Sequence, residues 1–281
     1  MRPARLFLVF CCFTLAAVCS VPPARCGEPA LVVDSRILDT IFADQELLHF
    51  SISWSGGIKI GDLRLEVERQ GREHRILARV TDYGLFHFFY PVDDTFTTLV
   101  SGPTKLPRLY RVLQREGWGS ETRRSTRYLQ ERGLVLYRKN DQPEERFSVA
   151  GRVYNEFSSF FITRALQPAL DRETIVPTFV DGKRHLVAVR FLGRQTMDSP
   201  WGPMQAIGVM PVMHFRGLYD KEGDTVFWLS DDHCRIPLRI ESKILIGSLV
   251  ADLVGYANQA CSVHPGTGSS LSGEKGEPGP P

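Results

Sequence analysis

Three consecutive residues, Asp231, Asp232 and His233, have side chains of the types that bind metal ions or transfer protons. A metal or catalytic site needs side chains that converge on one point, and adjacency alone does not provide this. Carboxylates in a turn also accept hydrogen bonds from nearby backbone N–H groups. The pattern therefore favours a structural turn over a metal or acid–base site. The pair Asp93-Asp94 follows a proline and is interpreted as a turn for the same reason.

The rest of the chain carries few signatures of catalysis. Its seven histidines are scattered, and it contains no HExxH, HxH, GxSxG, P-loop or CxxC motif. Motifs of that kind supply metal ligands, an activated nucleophile or a phosphate cradle. We therefore predict a protein without enzymatic activity, metal or cofactor, and an unrecognised hydrolase is the less favoured alternative.

A basic segment spans residues 105–139, where ten basic and three acidic side chains give a formal charge of +7. If its strands are neighbours, their outward faces form a cationic surface. Such a surface could meet anionic lipid headgroups, lipopolysaccharide or an acidic protein patch. Charge on an outer sheet face also prevents edge pairing and keeps a protein soluble, which is the competing interpretation. Three residues of this segment are predicted to contact a ligand: Arg123, Arg124 and Arg127.

Aromatic side chains are concentrated between residues 86 and 96, and four tryptophans are spread along the chain. They could line an apolar cavity inside a barrel of about eight strands, or they could fill its core. For the first case, the predicted ligand-binding aromatics are Trp54, Phe88, Tyr90 and Trp228. The ligand would be a lipid or another amphiphile.

Alternating apolar and charged residues predict many short strands that position these side chains. The clearest run is residues 236–256, where the alternation changes phase at Gly247, so the strand must bulge or bend there. Apolar residues at helical spacing predict one helix within residues 151–170, which Pro168 ends. The expected fold is all-β with one helix, a strongly curved or closed antiparallel sheet that resembles a barrel.

The N-terminus is typical of a secretory signal. Two arginines precede an apolar run that is too short to span a bilayer, and cleavage sites follow Ser20 or Cys26. We predict a signal peptide at residues 1–26, with a buried helix as the competing interpretation. Lipid attachment at Cys19 is a further alternative that Val18 disfavours. No later apolar run is long enough for a transmembrane helix.

Removing residues 1–26 leaves 31 basic and 32 acidic residues, a formal charge of −1, which argues against a dedicated nucleic-acid-binding protein. Only Cys234 and Cys261 remain, and in an oxidising compartment they predict a disulfide, with two buried thiols as the alternative. Residues 27–262 are long enough for a single β-domain. The tail at 263–281 is rich in Gly and Pro and ends in three collagen-like triplets, which are too few to hold a triple helix, so we predict disorder.

Four blocks of the sequence together resemble a known bacterial family: SWSGGIKIGDLRLEV, FFYPVDDTF, FVDGKRHLVAVRFLG and WLSDDHCRIPLRIESKILIGSLVADL. Their order and spacing over residues 45–256 are similar to those of the domain of unknown function 3108. The resemblance implies an exported envelope protein with a mostly antiparallel β-domain. It implies no activity and transfers no catalytic residue.

These observations lead to two leading hypotheses of function. The first is an exported protein, periplasmic or associated with the outer membrane, that binds a lipid or amphiphile in or beside the curved sheet. The second is a structural or assembly factor that docks on another envelope protein. Whether the barrel interior is empty or packed separates a carrier of the first kind from the others.

Overall fold

The structure is a computed structural model that describes residues 31–169, 172–212, 225–244 and 247–261. The predicted signal peptide (residues 1–26) and the predicted disordered tail (263–281) lie outside the described residues and stay predictions. The prediction of one domain at residues 27–262 also stays a prediction.

Fourteen described strands form one sheet in which all neighbours are antiparallel. Strands β1 to β8 pair in chain order, strands β9 to β14 do the same, and β14 pairs with β1. The strands are β1 (Gln45–Trp54), β2 (Ile58–Gln70), β3 (Glu73–Asp82), β4 (Asp93–Ser101), β5 (Leu106–Arg115), β6 (Glu121–Leu129), β7 (Leu134–Lys139), β8 (Glu145–Ser148), β9 (Thr174–Val180), β10 (Lys183–Met197), β11 (Met204–Val212), β12 (Thr225–Ser230), β13 (Pro237–Lys243) and β14 (Ser248–Asn258). The predicted antiparallel β architecture is confirmed.

Within the described residues, three α-helices accompany the sheet: α1 (Ser35–Ile41), α2 (Leu85–Phe89) and α3 (Glu156–Arg164). Only α3 was expected from the sequence. The two short helices lie in segments without a full helical repeat of apolar residues, so their sequences carry too little periodic signal to predict them.

Strand β4 shows why the sheet has an inside and an outside. Its burial alternates residue by residue, with Phe96, Thr98 and Val100 buried. Successive side chains of a strand point to opposite faces, so one face packs on the core and the other meets water. Register shifts in β1, β4, β10 and β12 add local bends to the sheet.

The run of residues 236–256 is two strands, not one bent strand, so that part of the prediction is wrong. β13 and β14 pair with each other as a hairpin, and the N–H of Ile244 donates to the carbonyl of Gly247 at 3.2 Å. Gly247 has a φ of +81°, and a Cβ there would collide with the side chains of Trp54 and Ser55. The phase change in the sequence marks this turn.

Helix α3 lies inside the curve of the sheet. Asn155 caps its first turn through a reciprocal pair of hydrogen bonds with Ser158. The ring of Phe157 lies 5.1 Å from that of Phe96 on β4, and the ring of Phe160 lies 5.0 Å from that of Phe227 on β12. The helix therefore contacts both runs of strands, β1 to β8 through β4 and β9 to β14 through β12. The sheet curves around it.

The last residue of α3, Arg164, forms a fully buried ion pair with Glu46 on β1. Its two terminal nitrogens lie 2.6 and 2.8 Å from the two carboxylate oxygens, and neither side chain has any exposed surface. Arg164 also donates to the carbonyls of Arg235 and Cys234, while the hydroxyl of Tyr256 donates to Glu46 at 3.2 Å. These partners satisfy the charges that burial removes from water.

The two edge strands, β8 and β9, close the curve through side chains. Phe147 on β8 lies with its ring 5.5 Å from that of Phe179 on β9. Arg124 on β6 reaches Asp181, just beyond β9, at 3.5 Å. In the described chain no ladder joins these two edges, so the sheet is strongly curved rather than closed by hydrogen bonds.

The predicted disulfide between Cys234 and Cys261 is present, with Cα atoms 5.8 Å apart. It joins the turn after β12 to the residues that follow β14. Closing a loop of 27 residues stabilises the folded state by about 3–4 kcal/mol if the effect is entropic.

We expect the substitution Glu46→Gln to lower the free energy of unfolding by about 3–5 kcal/mol, because it leaves the guanidinium of Arg164 buried without its counter-charge. Urea unfolding followed by circular dichroism measures the change. Glu73→Gln is the control, since it breaks an exposed pair with Arg108 and should cost less than about 1 kcal/mol. Equal losses in the two variants would contradict this account.

Candidate functional site

The interior of the sheet is packed around α3. A cavity beside the helix has a volume of about 20 Å³ and is lined in part by Tyr110, Tyr128 and Glu156. That volume suits about one water molecule, whereas pockets for lipid-sized ligands occupy about 300–1,000 Å³. The interpretation that aromatic side chains fill the core therefore fits the described interior better than a lipid cavity does.

A chain of polar side chains crosses this interior. Arg124 donates to the side-chain oxygen of Gln114 at 2.5 Å, and Gln114 donates to the buried carboxylate of Asp94 at 3.2 Å. Burial raises the pKa of Asp94 to about 6, and the hydrogen bond from Gln114 acts against the rise. Burial likewise raises the pKa of Glu156, which faces the small cavity, to about 7. Both carboxyl groups thus titrate near neutral pH.

The pair Asp93-Asp94 begins strand β4, so the predicted turn at this pair is wrong. The side chains follow the alternation of the strand. Asp93 points outward and pairs with Arg79 at 3.1 Å, whereas Asp94 points inward to Gln114. Aspartate is depleted in strands, so two adjacent acids after a proline carry no local signal for a strand start.

The segment Asp231-Asp232-His233 forms a turn between β12 and β13. One carboxylate oxygen of Asp232 accepts from the N–H groups of Cys234 and Arg235, at 2.9 and 3.1 Å. Asp231 pairs with Arg194 and Arg235. These contacts match the structural turn favoured by the sequence. Within the described ranges, no group of three or more His, Cys, Asp or Glu side chains is placed to hold a metal ion.

Large apolar side chains project from one end of the sheet, which we call the aromatic end. The connections that leave the sheet there include those between β1 and β2, β3 and β4, and β5 and β6. Phe88, Phe89 and Trp118 have 71%, 72% and 74% of their surface exposed. Among the side chains that the structure describes, the set at this end is Ile58, Tyr83, Phe88, Phe89, Tyr90 and Trp118.

Backbone contacts hold these connections next to each other. The N–H of Gly117 donates to the carbonyl of Pro91 at 2.8 Å, which joins the β5–β6 turn to the segment after α2. The carboxylate of Asp82 accepts from the N–H of Val92 and contacts the ring of His87, each through the same oxygen, at 2.8 and 2.9 Å. The exposed rings are therefore presented by an anchored backbone.

Of the predicted ligand-binding aromatics, Phe88 and Tyr90 lie at the aromatic end. Trp228 lies on β12 and packs over Gly208, where a Cβ would come within 2.9 Å of its ring. Trp54 lies at the end of β1 against Gly247 and is half-buried. The structure thus brings two of the four together and gives the other two packing contacts.

The three predicted arginines of β6 have different surroundings. Arg123 and Arg127 lie on the outer face, where Arg123 pairs with Glu121 and Arg127 pairs with Glu144. Arg124 points inward and has only 11% of its side chain exposed. Alternation along one strand separates them, since neighbouring residues face opposite sides.

Sequence reasoning missed Glu156, which is half-buried and faces the small cavity. An acidic residue in the first turn of a helix is common because it complements the helix dipole, so this position carries no sign of burial. The sequence shows that Phe89 and Trp118 are aromatic, but it does not show that both are exposed at the aromatic end of the sheet.

The family model described as "Protein of unknown function (DUF3108)" matches residues 49–254. The chain belongs to the DUF3108 family. The match confirms the resemblance found in the sequence, and it includes the aromatic end and the arginines of β6.

A solved structure similar to this DUF3108 protein is a crystal structure of a beta-barrel-like protein of domain of unknown function DUF1849 from Brucella abortus. The two share 12% sequence identity, the alignment covers 76% of this chain and 98% of that chain, and the TM-score is 0.52. At this identity the likeness concerns the fold alone. No curated protein matches this sequence.

We expect Glu156→Gln to change how stability depends on pH. The folded pKa of Glu156, about 7, exceeds its usual value of 4.5, so the folded state holds a proton that the unfolded state releases. The bound proton therefore adds about 3 kcal/mol to the free energy of unfolding below pH 4.5. This stabilisation is lost as the pH rises to 7.

Relative to wild type, Glu156→Gln should therefore become more stabilising between pH 5 and pH 8, as measured by urea unfolding at each pH. Glu131→Gln removes one exposed carboxylate and reports the effect of net charge alone. A constant difference between Glu156→Gln and wild type across this range would refute the assignment.

Proposed function

We propose that this DUF3108 protein is an exported, non-enzymatic protein of the bacterial cell envelope that binds lipid at its aromatic end. The observation that carries the proposal is the group of six exposed apolar side chains at one end of the sheet. Soluble surfaces rarely collect large apolar side chains in one place unless they meet a membrane or a partner.

The composition of the aromatic end favours a lipid surface. Phe, Tyr and Trp have apolar rings, and the polar groups of Tyr and Trp suit the boundary between acyl chains and water. Burying Phe88 and Phe89 alone would contribute about 1.5–3 kcal/mol each. The anchored backbone means that little ordering is needed before the rings can insert.

Export is supported by two features of the chain. The N-terminal residues have the charge and length pattern of a secretory signal. The disulfide between Cys234 and Cys261 is typical of proteins that fold in an oxidising compartment. In the described ranges, no helix has the length and hydrophobicity needed to cross a bilayer.

Because the interior is packed, we propose that lipid binds at the rim of the sheet and not inside it. A carrier that encloses an acyl chain needs several hundred cubic ångströms, and the cavity beside α3 has about 20 Å³. We therefore assign lipid contact to Phe88 and Tyr90 and their neighbours at the aromatic end, and packing roles to Trp54 and Trp228.

Flotation with vesicles of phosphatidylethanolamine and phosphatidylglycerol tests this function. We expect the mature protein to float with the vesicles and the variant Phe88→Ser/Phe89→Ser to partition at least about tenfold more weakly, since it loses two insertable rings. Val254→Thr is the control, because Val254 is an exposed apolar residue of β14 far from the aromatic end.

Wild-type protein that stays at the bottom of the gradient would contradict lipid binding. If Phe88→Ser/Phe89→Ser instead abolishes a stoichiometric crosslink to another envelope protein in intact cells, the same surface serves the assembly role.

A further inference from the structure

We propose that the outer face of strands β4 to β7 carries a separate binding site for a phosphate group. The site is an open groove, here called the arginine groove, with a volume of about 410 Å³. It lies on the wall of the sheet rather than at the aromatic end, so it goes beyond the proposed function. Its polar lining includes Thr97, Arg111, Arg123, Ser125, Arg138 and Asn140.

The strand register brings these side chains together. Thr97 pairs with Arg111, Arg111 with Ser125, and Ser125 with Arg138, so one row of outward side chains crosses four strands. Neighbouring strands are about 4.8 Å apart, which places the backbones of Arg111 and Arg138 about 10 Å apart. Two long guanidinium side chains at that separation can converge on one anion between them.

Two arginines of the groove have no partner of opposite charge. Within the described ranges, the side chains of Arg111 and Arg138 form no hydrogen bond and no ion pair, and the residues that line the groove include no carboxylate. Two carboxylates on the neighbouring elements are already paired. Glu121 binds Arg115 and Arg123, and Glu144 binds Arg127, although Arg138 also acts on Glu144 at longer range.

Several polar side chains in the lining are of types that bind a phosphate. Guanidinium groups bind phosphate oxygens through two parallel hydrogen bonds, and they carry charge at every physiological pH. Ser125 and Thr97 can add hydroxyl donors. The side-chain oxygen of Asn140 accepts from the N–H of Arg123 at 2.8 Å, so its amide nitrogen is free to donate toward the groove.

A sheet face covered with charge only for solubility does not need this arrangement. On the same sheet, outward arginines such as Arg79 and Arg108 pair with acids on adjacent strands. Arg111 and Arg138 form no such pairs, and they line the same groove as the hydroxyl groups of Thr97 and Ser125. The phosphate could be that of a soluble phosphomonoester or that of a phospholipid headgroup, and both present the same oxygens.

Isothermal titration calorimetry with the mature protein tests the proposal. The probes are inorganic phosphate, glycerol 1-phosphate, and vesicles of phosphatidylglycerol, and the blank titrations use vesicles of phosphatidylcholine and sodium chloride of equal ionic strength. We expect saturable binding of at least one phosphate probe. Arg111→Gln/Arg138→Gln should weaken it at least about tenfold, because two charge-assisted contacts are lost.

Arg64→Gln is the matched control, since Arg64 is an exposed outward arginine of β2 outside the groove. It should bind as wild type does. Thermal unfolding checks that all variants are folded. Saturation by the two soluble probes identifies a soluble phosphate ligand, and saturation by phosphatidylglycerol alone identifies a headgroup.

The proposal is overturned if no phosphate probe gives more heat of binding than phosphatidylcholine vesicles and sodium chloride do, or if Arg64→Gln weakens binding as much as the groove variant does. Phe88→Ser/Phe89→Ser should retain binding of the soluble probes. That variant therefore separates failure of the arginine groove from failure of the aromatic end.

Discussion

The buried ion pair between Arg164 and Glu46 is the interaction on which the rest of the structure depends. It ties the end of α3 to the first strand of the sheet, and the same guanidinium holds the carbonyls of Cys234 and Arg235 before β13. A buried charge without its partner is strongly destabilising, so moving the end of α3 away from β1 would cost several kcal/mol. The disulfide of Cys234 fixes the same region covalently.

Because the helix occupies the inside of the curve, the ligand contacts that we propose lie on the outside. The phenylalanines of α3 reach β4 and β12, and the cavity beside the helix is about the size of a water molecule. Two outer surfaces then remain with unusual chemistry: exposed rings at one end, and unpaired arginines on one wall. The β5–β6 hairpin contributes to both, with Trp118 in its turn and Arg111 on its first strand.

The strand pattern, helix α3, the disulfide and the family could all be predicted from the sequence, because each depends on local periodicity, on cysteine count or on motifs in order. The inside of the sheet could not. Glu46 sits in an apolar strand and Arg164 at a helix end, which is an ordinary place for a basic residue, and 118 residues separate them. Likewise, Phe88 is exposed because it lies on the five-residue helix α2 between β3 and β4. A helix of five residues is too short to show a helical repeat of apolar residues in the sequence.

The most direct test of lipid contact at the aromatic end is to map where a lipid touches the protein. A phospholipid with a photoactivatable acyl chain, crosslinked to the mature protein in vesicles and located by peptide mass spectrometry, reports each contacted residue. We expect labels within residues 83–90 and 116–119, at the aromatic end. Labels on α3 or on inward-facing residues such as Phe96 would show that lipid enters the sheet and would contradict lipid binding at the rim.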